Sequence, residues 1–259
     1  MELIFKPLIY FYSFLSFLNR KVLIRGIKKE DLVLDVGSGD KPHWRADVIV
    51  DKFPQDNQQR ASGEILYDRR KIFVNADVQN LPFKDKSFDF VFCSHLLEHV
   101  ENPGKAIEEI TRVGKRGYLE VPFAILDLLK PFKSHLWLCD LEKNKLVFFR
   151  RERVKNFYTR VLGKFGERYF TSPILQYLFI KNFRFTFISF YWHNKINYQV
   201  VDKFKKPYFY SSRKIPPKKS NLNFSLYKIF YSIITFLFYR KKHINLSLLL
   251  KNQNRSCRS

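Results

Sequence analysis

Cysteine is scarce and poorly placed for cross-linking. Cys93, Cys139 and Cys257 are odd in number and widely scattered along 259 residues. No disulfide framework or zinc spacing emerges, so a reducing cytoplasm is expected. Acidic residues are scarce in one part only. Residues 1–150 carry 24 Lys and Arg against 21 Asp and Glu, whereas residues 151–259 carry 23 against 3. The net charge of +23 is therefore concentrated in the C-terminal part. That asymmetry calls for an anionic partner there, either a membrane surface or a polyanion.

Long apolar runs are also missing. Residues 3–18 are apolar and aromatic. The uninterrupted part, from Pro7, is too short for a bilayer-spanning helix of about 20 residues. No basic segment precedes it and no small-residue cleavage site follows, so a signal peptide is not expected. Two readings stay open for this N-terminal amphipathic helix, assigned to residues 1–30. It packs on the domain, or it lies in a membrane interface with Tyr10, Tyr12, Arg20, Lys21 and Arg25 at headgroup level.

What is present is a hydrophobic content of 46% with 28 Phe, enough for one large domain or one domain with an appendage. The stretch from Asp31 to Val121 organises it. Leu32 to Val36 is a short apolar run closed by a glycine turn, which suits a strand buried on both faces. Gly37 and Gly39 let the backbone turn sharply and approach a ligand closely. Val48 to Val50 is a second such run. Asp51 at its tip is placed to accept hydrogen bonds from a ribose. Ile72 to Val74 reads as a third strand delivering Asp77, and Phe88 to Phe92 as the central fourth. Residues 103–113 read as a helix with Ala106, Ile107, Ile110 and Val113 on one face, ended by Gly114 and Gly117. Tyr118 to Val121 is the fifth strand.

Six ordered pieces narrow this further: Asp35-Val-Gly-Ser-Gly39, Asp51, Asn75-Ala-Asp77, Leu81-Pro-Phe83, Ser87-Phe-Asp89 and His95-Leu-Leu-Glu-His99. Together they resemble the class I S-adenosylmethionine-dependent methyltransferases, in particular a small bacterial, type 11-like branch. The resemblance covers residues 31–150. It implies an α/β, Rossmann-like doubly wound sheet, mostly parallel, closed by an antiparallel hairpin read at residues 134–149. It implies S-adenosyl-L-methionine as cofactor, with Asp35, Gly37, Ser38, Gly39, Asp51, Asp77, Val78 and Ser94 in its site. The departure is the glycine loop. Lys41-Pro42 stands where many relatives have a third glycine, and a full-length first helix hardly fits before Asp51.

His95 is the candidate base, with His135 facing the same cleft and Glu120 orienting an acceptor amine or hydroxyl. His95 and His99 are four apart, but no third ligand is evident beside them, so no metal is expected. Beyond Arg151 lies a basic, aromatic-rich C-terminal extension, residues 151–259. In it, 182–190 alternate as a strand on Phe183, Phe185 and Phe187, and 213–220 form a basic proline linker. Leu222 to Tyr239 reads as a helix whose apolar stripe runs through Leu226, Ile229, Phe230, Ile233, Phe236 and Leu237, followed by Arg240-Lys-Lys242. Residues 252–259 read as disordered.

The leading expectation is a cytoplasmic enzyme, peripheral on the inner face of the cell membrane, that methylates a glycan or lipid-linked cell-surface intermediate. An RNA or other nucleic-acid methyltransferase is the alternative, using the basic aromatic tail along a phosphate backbone. A scaffold with a degenerate cofactor site is the third, and a nicotinamide oxidoreductase is distant because GxGxxG is lacking.

Overall fold

The computed structural model describes residues 2–55, 65–66, 68–129, 132, 134–151, 161–166, 172–182, 185–201 and 222–251. The polar segment at 56–64, Phe183, the proline linker and residues 252–259 lie outside them.

The chain opens with helix α1 (Glu2–Phe17) and one π-helical turn (Leu18–Val22). Four parallel neighbours follow: β1 (Val33–Val36), β2 (Val48–Asp51), β3 (Ile72–Asn75) and β4 (Phe88–Ser94). Every residue of β1 and β2 is buried, as strands covered on both faces require. Helix α2 (Pro103–Val113) starts on an Asn102 cap with Pro103 in its first turn. It buries Ala106, Ile107, Ile110 and Val113, the face its spacing predicts.

Gly114 caps α2 as expected, its N–H donating to the Ile110 carbonyl, but it also opens strand β5 (Gly114–Pro122), which is longer than expected and includes Gly117. The reason is close packing. A Cβ on Gly117 would come within 2.8 Å of the Trp192 indole and 2.1 Å of the Val91 carbonyl oxygen. After α3 (Ala124–Leu129), β6 (Trp137–Glu142) and β7 (Lys145–Arg150) form the expected hairpin. Its two-residue turn holds both Lys143 and Asn144 at positive φ, the twist that suits tight hairpins. Helix α4 (Pro173–Lys181), β8 (Phe187–His193), β9 (Tyr198–Val200), α5 (Leu222–Phe238) and α6 (Leu246–Leu249) complete the order.

The main sheet runs β3-β2-β1-β4-β5-β8, with β8 antiparallel to β5 and all other pairs parallel. This is the mostly parallel, Rossmann-like sheet that was expected, with one correction. The hairpin does not close it. β6 and β7 join β9 in a separate three-stranded sheet, and the closing strand is β8, beyond residue 150. A second correction concerns β8 itself. It begins at Phe187 and buries Ile188 and Trp192, while Phe185 is 72% exposed ahead of it. Trp192 is placed on the sheet side because Gly114 and Gly117 leave room for it.

Between β1 and β2 the chain turns without forming a helix. Helix α5 covers this shortened connection. Tyr227 donates its hydroxyl to the Pro42 carbonyl at 2.7 Å, and Tyr231 packs with it against Trp44 and Leu66. The buried side of α5 is thus Tyr227, Tyr231 and Thr235, spaced by one helical turn. Most of its apolar stripe points outward: Ile229, Ile233 and Leu237 are all exposed and Phe236 is 80% exposed, while Phe230 is half-buried and packs edge-on against Phe14. Among the described residues no helix is long and apolar enough to cross a membrane.

Candidate active site

The carboxyl edge of the parallel strands gathers the motif residues. Gly37 and Gly39 take φ of +69° and +52°, which side chains rarely adopt. The Gly37 N–H donates to the Val50 carbonyl at 2.8 Å, and the Gly39 N–H to Asp51 Oδ2 at 3.1 Å. The Phe53 N–H donates to Asp51 Oδ1 at 2.9 Å. The glycine turn and the acid of the second strand are therefore joined. A Cβ on Gly37 would meet Leu96 at 2.6 Å, so Leu96 lies directly over the turn. Asp35 is buried and accepts the His43 N–H at 2.6 Å; burial pushes its carboxyl up to about 7. Ser38 Oγ is buried with no hydrogen-bond partner. Asp77 caps the short 3₁₀ turn Val78–Asn80 and pairs with Lys52 at 2.7 Å, and Val78 is buried beside it.

At the tips of β4 and β5 a second group forms. Glu120 is fully buried and ringed by donors. Arg20 grips both its oxygens, at 2.7 and 2.6 Å, Ser94 Oγ donates at 3.0 Å, and Tyr118 donates its hydroxyl at 2.8 Å. Burial alone would raise the Glu120 pKa, but Arg20 and His95 outweigh it and hold it well below the usual carboxylate range. Lys21 Nζ donates to Ser94 Oγ at 2.9 Å and lies over the Phe92 ring; burial lowers its pKa. Arg20 and Lys21, which the interfacial reading puts at headgroup level, are thus turned into the domain by the π-helical turn. Nothing in the sequence marks them as inward-facing.

His95 sits at φ +55°, a strained position for a non-glycine residue. Its Nε2 accepts from Arg20 at 2.8 Å and lies 3.2 Å from Glu120 Oε1, while Nδ1 donates to Glu98 Oε1 at 3.2 Å. Burial lowers its proton affinity, but the two carboxylates outweigh that and the net shift is upward. His95 and Glu120, two of the three expected catalytic residues, are therefore in contact. His135 is not part of that contact. Its Nδ1 donates to Asp127 at 2.8 Å, and it lies with Glu98 and His99 instead. One ligand-type atom of each of these three falls within 4.8 Å of the others, so His99 is grouped with Glu98 and with His135 from the segment before β6, in a cluster that does not include His95.

The strand order with its antiparallel last member, and a glycine turn bonded to the acid of the next strand, define a Rossmann-like sheet with both at its carboxyl edge. Residues 49–119 match the family described as "Methyltransferase domain". Over those residues the chain is similar to class I, S-adenosylmethionine-dependent methyltransferase domains. It is similar to an "Uncharacterized methyltransferase" of Mycolicibacterium gilvum, 34% identical over 110 residues that cover 40% of this chain and 42% of that protein. A protein of the same description from Mycolicibacterium vanbaalenii is 29% identical over 138 residues, 51% of each chain. The chain spans about half or less of the length of these curated relatives. Among solved structures, the YcgJ protein from Bacillus subtilis overlaps 49% of this chain and 61% of its own, at 22% identity and a TM-score of 0.31.

The methyltransferase-domain similarity over residues 49–119 implies S-adenosylmethionine as cofactor, and the residues present fit it. Ser38 Oγ is a buried polar atom awaiting a partner. Asp51, at the tip of the second strand, is held against the glycine turn by the Gly39 and Phe53 N–H groups.

Proposed function

We propose that this chain is an S-adenosylmethionine-dependent methyltransferase acting on a glycan or lipid-linked acceptor at a membrane surface. The bond from the Gly39 N–H to Asp51 Oδ2 carries the enzymatic part of this reading, because it sets the ribose-binding acid against the glycine turn. Gly37, Ser38, Gly39, Asp51, Asp77, Val78 and Ser94 would hold the cofactor, with Asp35 beneath the turn. Bound, the cofactor supplies a methyl carbon already made electrophilic by a sulfonium. The protein then has to align the acceptor and exclude water, a contribution of several kcal/mol.

His95 accepts an acceptor proton only once Arg20 leaves its Nε2, so Arg20 guards the base. Glu120 anchors Arg20 and orients Ser94. The location is supported by α5, whose outward stripe of Ile229, Ile233, Phe236 and Leu237 runs into Arg240 and Lys241. Lys242 is committed elsewhere, donating to Asp47 Oδ2 at 3.1 Å. Basic charge beside an exposed apolar face favours an anionic bilayer, by about 1 kcal/mol per residue. Flotation with phosphatidylglycerol vesicles tests the location, and RNA binding that falls steeply with salt would favour the nucleic-acid reading instead.

A further inference from the structure

We infer that Glu98, His99 and His135 form a binding site for one divalent transition-metal ion, with coordination positions left open for an oxygen ligand. The three ligand atoms lie within 4.8 Å of one another. Metal–ligand bonds of about 2.0–2.2 Å ask for slightly closer approach, which small side-chain rotations supply.

Each ligand is in the state a metal needs. The His99 Nδ1 faces the Ser134 carbonyl at 3.1 Å, and a carbonyl only accepts, so that nitrogen carries the proton and Nε2 is the lone-pair nitrogen. The His135 Nδ1 is likewise fixed as a donor by Asp127, which is 2% exposed. Its Nε2 is then the free ligand. A carboxylate or carbonyl behind each imidazole is the outer arrangement that metal-bound histidines use. Glu98 is fully buried, and its Oε2 has no hydrogen-bond partner. Its other oxygen takes the His95 ring and lies 3.9 Å from His99 Nε2. Glu98 thus brings a buried carboxylate with an unpartnered oxygen to the same cluster as two lone-pair imidazoles, an arrangement that a cation completes.

The site is also preorganised. The N–H groups of Leu136 and Trp137 both donate to the Glu98 carbonyl, at 2.7 and 3.3 Å, and Trp137 Nε1 donates to the Val100 carbonyl at 2.8 Å. These bonds fasten the start of β6 to the turn after β4, and so hold His135 against Glu98 and His99. Two imidazoles and one carboxylate suit zinc, iron, manganese or cobalt, whereas magnesium and calcium prefer all-oxygen sites. Three protein ligands leave room for an exchangeable oxygen. On the methyl-transfer reading above, that oxygen belongs to the acceptor, and this role rests on that reading; metal binding itself does not.

The test uses the full-length protein, stripped with a chelator and titrated with Co²⁺, read by visible d–d absorption and by metal content after gel filtration. One Co²⁺ per chain is expected, with bands of a low-coordinate site that Zn²⁺ bleaches. His99→Gln, His135→Gln and Glu98→Gln should each abolish those bands. Asp127→Asn, which keeps all three ligands, should weaken Co²⁺ by about 10–100-fold. The exposed His243→Gln should change nothing. Calorimetry with the demethylated cofactor is run on every variant. It reports folding of the domain, and it separates loss of the metal site from failure of the methyltransferase reading. No stoichiometric Co²⁺, or Co²⁺ binding that survives all three ligand substitutions in folded protein, overturns the inference.

Discussion

Arg20 holds both oxygens of Glu120 across a sequence separation of 100 residues, at 2.7 and 2.6 Å. The pair fastens the N-terminal segment to the tip of β5. Glu120 is fully buried, so removing only the cation leaves an uncompensated charge. Arg20→Met should cost about 3–5 kcal/mol in urea unfolding, and Arg20→Met with Glu120→Gln should recover most of it. Equal losses for the single and double variants would mean that the pair is not what holds the segment.

Asp35 and Lys71 give stability a pH dependence of opposite signs. The Asp35 pKa rises from 3.8 unfolded to about 7 folded, so the native state binds the extra proton between those values. Its contribution is whole below about pH 4 and is lost as pH rises through 7, with a slope approaching 1.4 kcal/mol per pH unit. Burial moves Lys71 the other way, from 10.5 to about 7, so the unfolded state binds the extra proton and stability rises with pH between 7 and 10.5. Asp35→Asn should flatten the acidic slope and Lys71→Met the alkaline one, in unfolding curves taken from pH 4 to 10.

Gly37→Ala meets two obstacles, the φ of +69° and Leu96 at 2.6 Å. A loss of about 2 kcal/mol is expected from conformation and crowding together. Adding Leu96→Ala relieves only the crowding, so part of the loss should persist in the double variant.

The exposed stripe on α5 separates membrane contact from folding. Phe236→Asp and Ile233→Asp should change stability by no more than about 0.5 kcal/mol, since both side chains point outward. Both should lower vesicle binding several-fold. A truncation at residue 150 does not serve here, because it removes β8 from the main sheet.

Much of this was legible in the sequence where local chemistry decides structure. Buried apolar runs announced β1, β2 and β4, and Gly37, Gly39 and Asp51 announced the edge where they meet. The α2 face followed from the spacing of Ala106, Ile107, Ile110 and Val113. Partnerships across long separations were not legible. Nothing local to Phe187–His193 says that this strand, rather than the hairpin, closes the sheet; Gly117 and Trp192 decide that by fitting together. Arg20 and Lys21 follow an apolar helix that reads equally as a packed element or an interfacial anchor, and the π-helical turn carries them inward. His135 reaches Glu98 and His99 only through the backbone bonds of Leu136 and Trp137.

The most direct test is calorimetric titration of the full-length protein with S-adenosylmethionine and its demethylated product. Saturable binding of one molecule per chain is expected, weakened about 10–100-fold by Asp51→Ala, which removes charge-assisted hydrogen bonds. No heat of binding from folded protein, or an affinity indifferent to Asp51→Ala, would contradict a cofactor held between the glycine turn and the second strand.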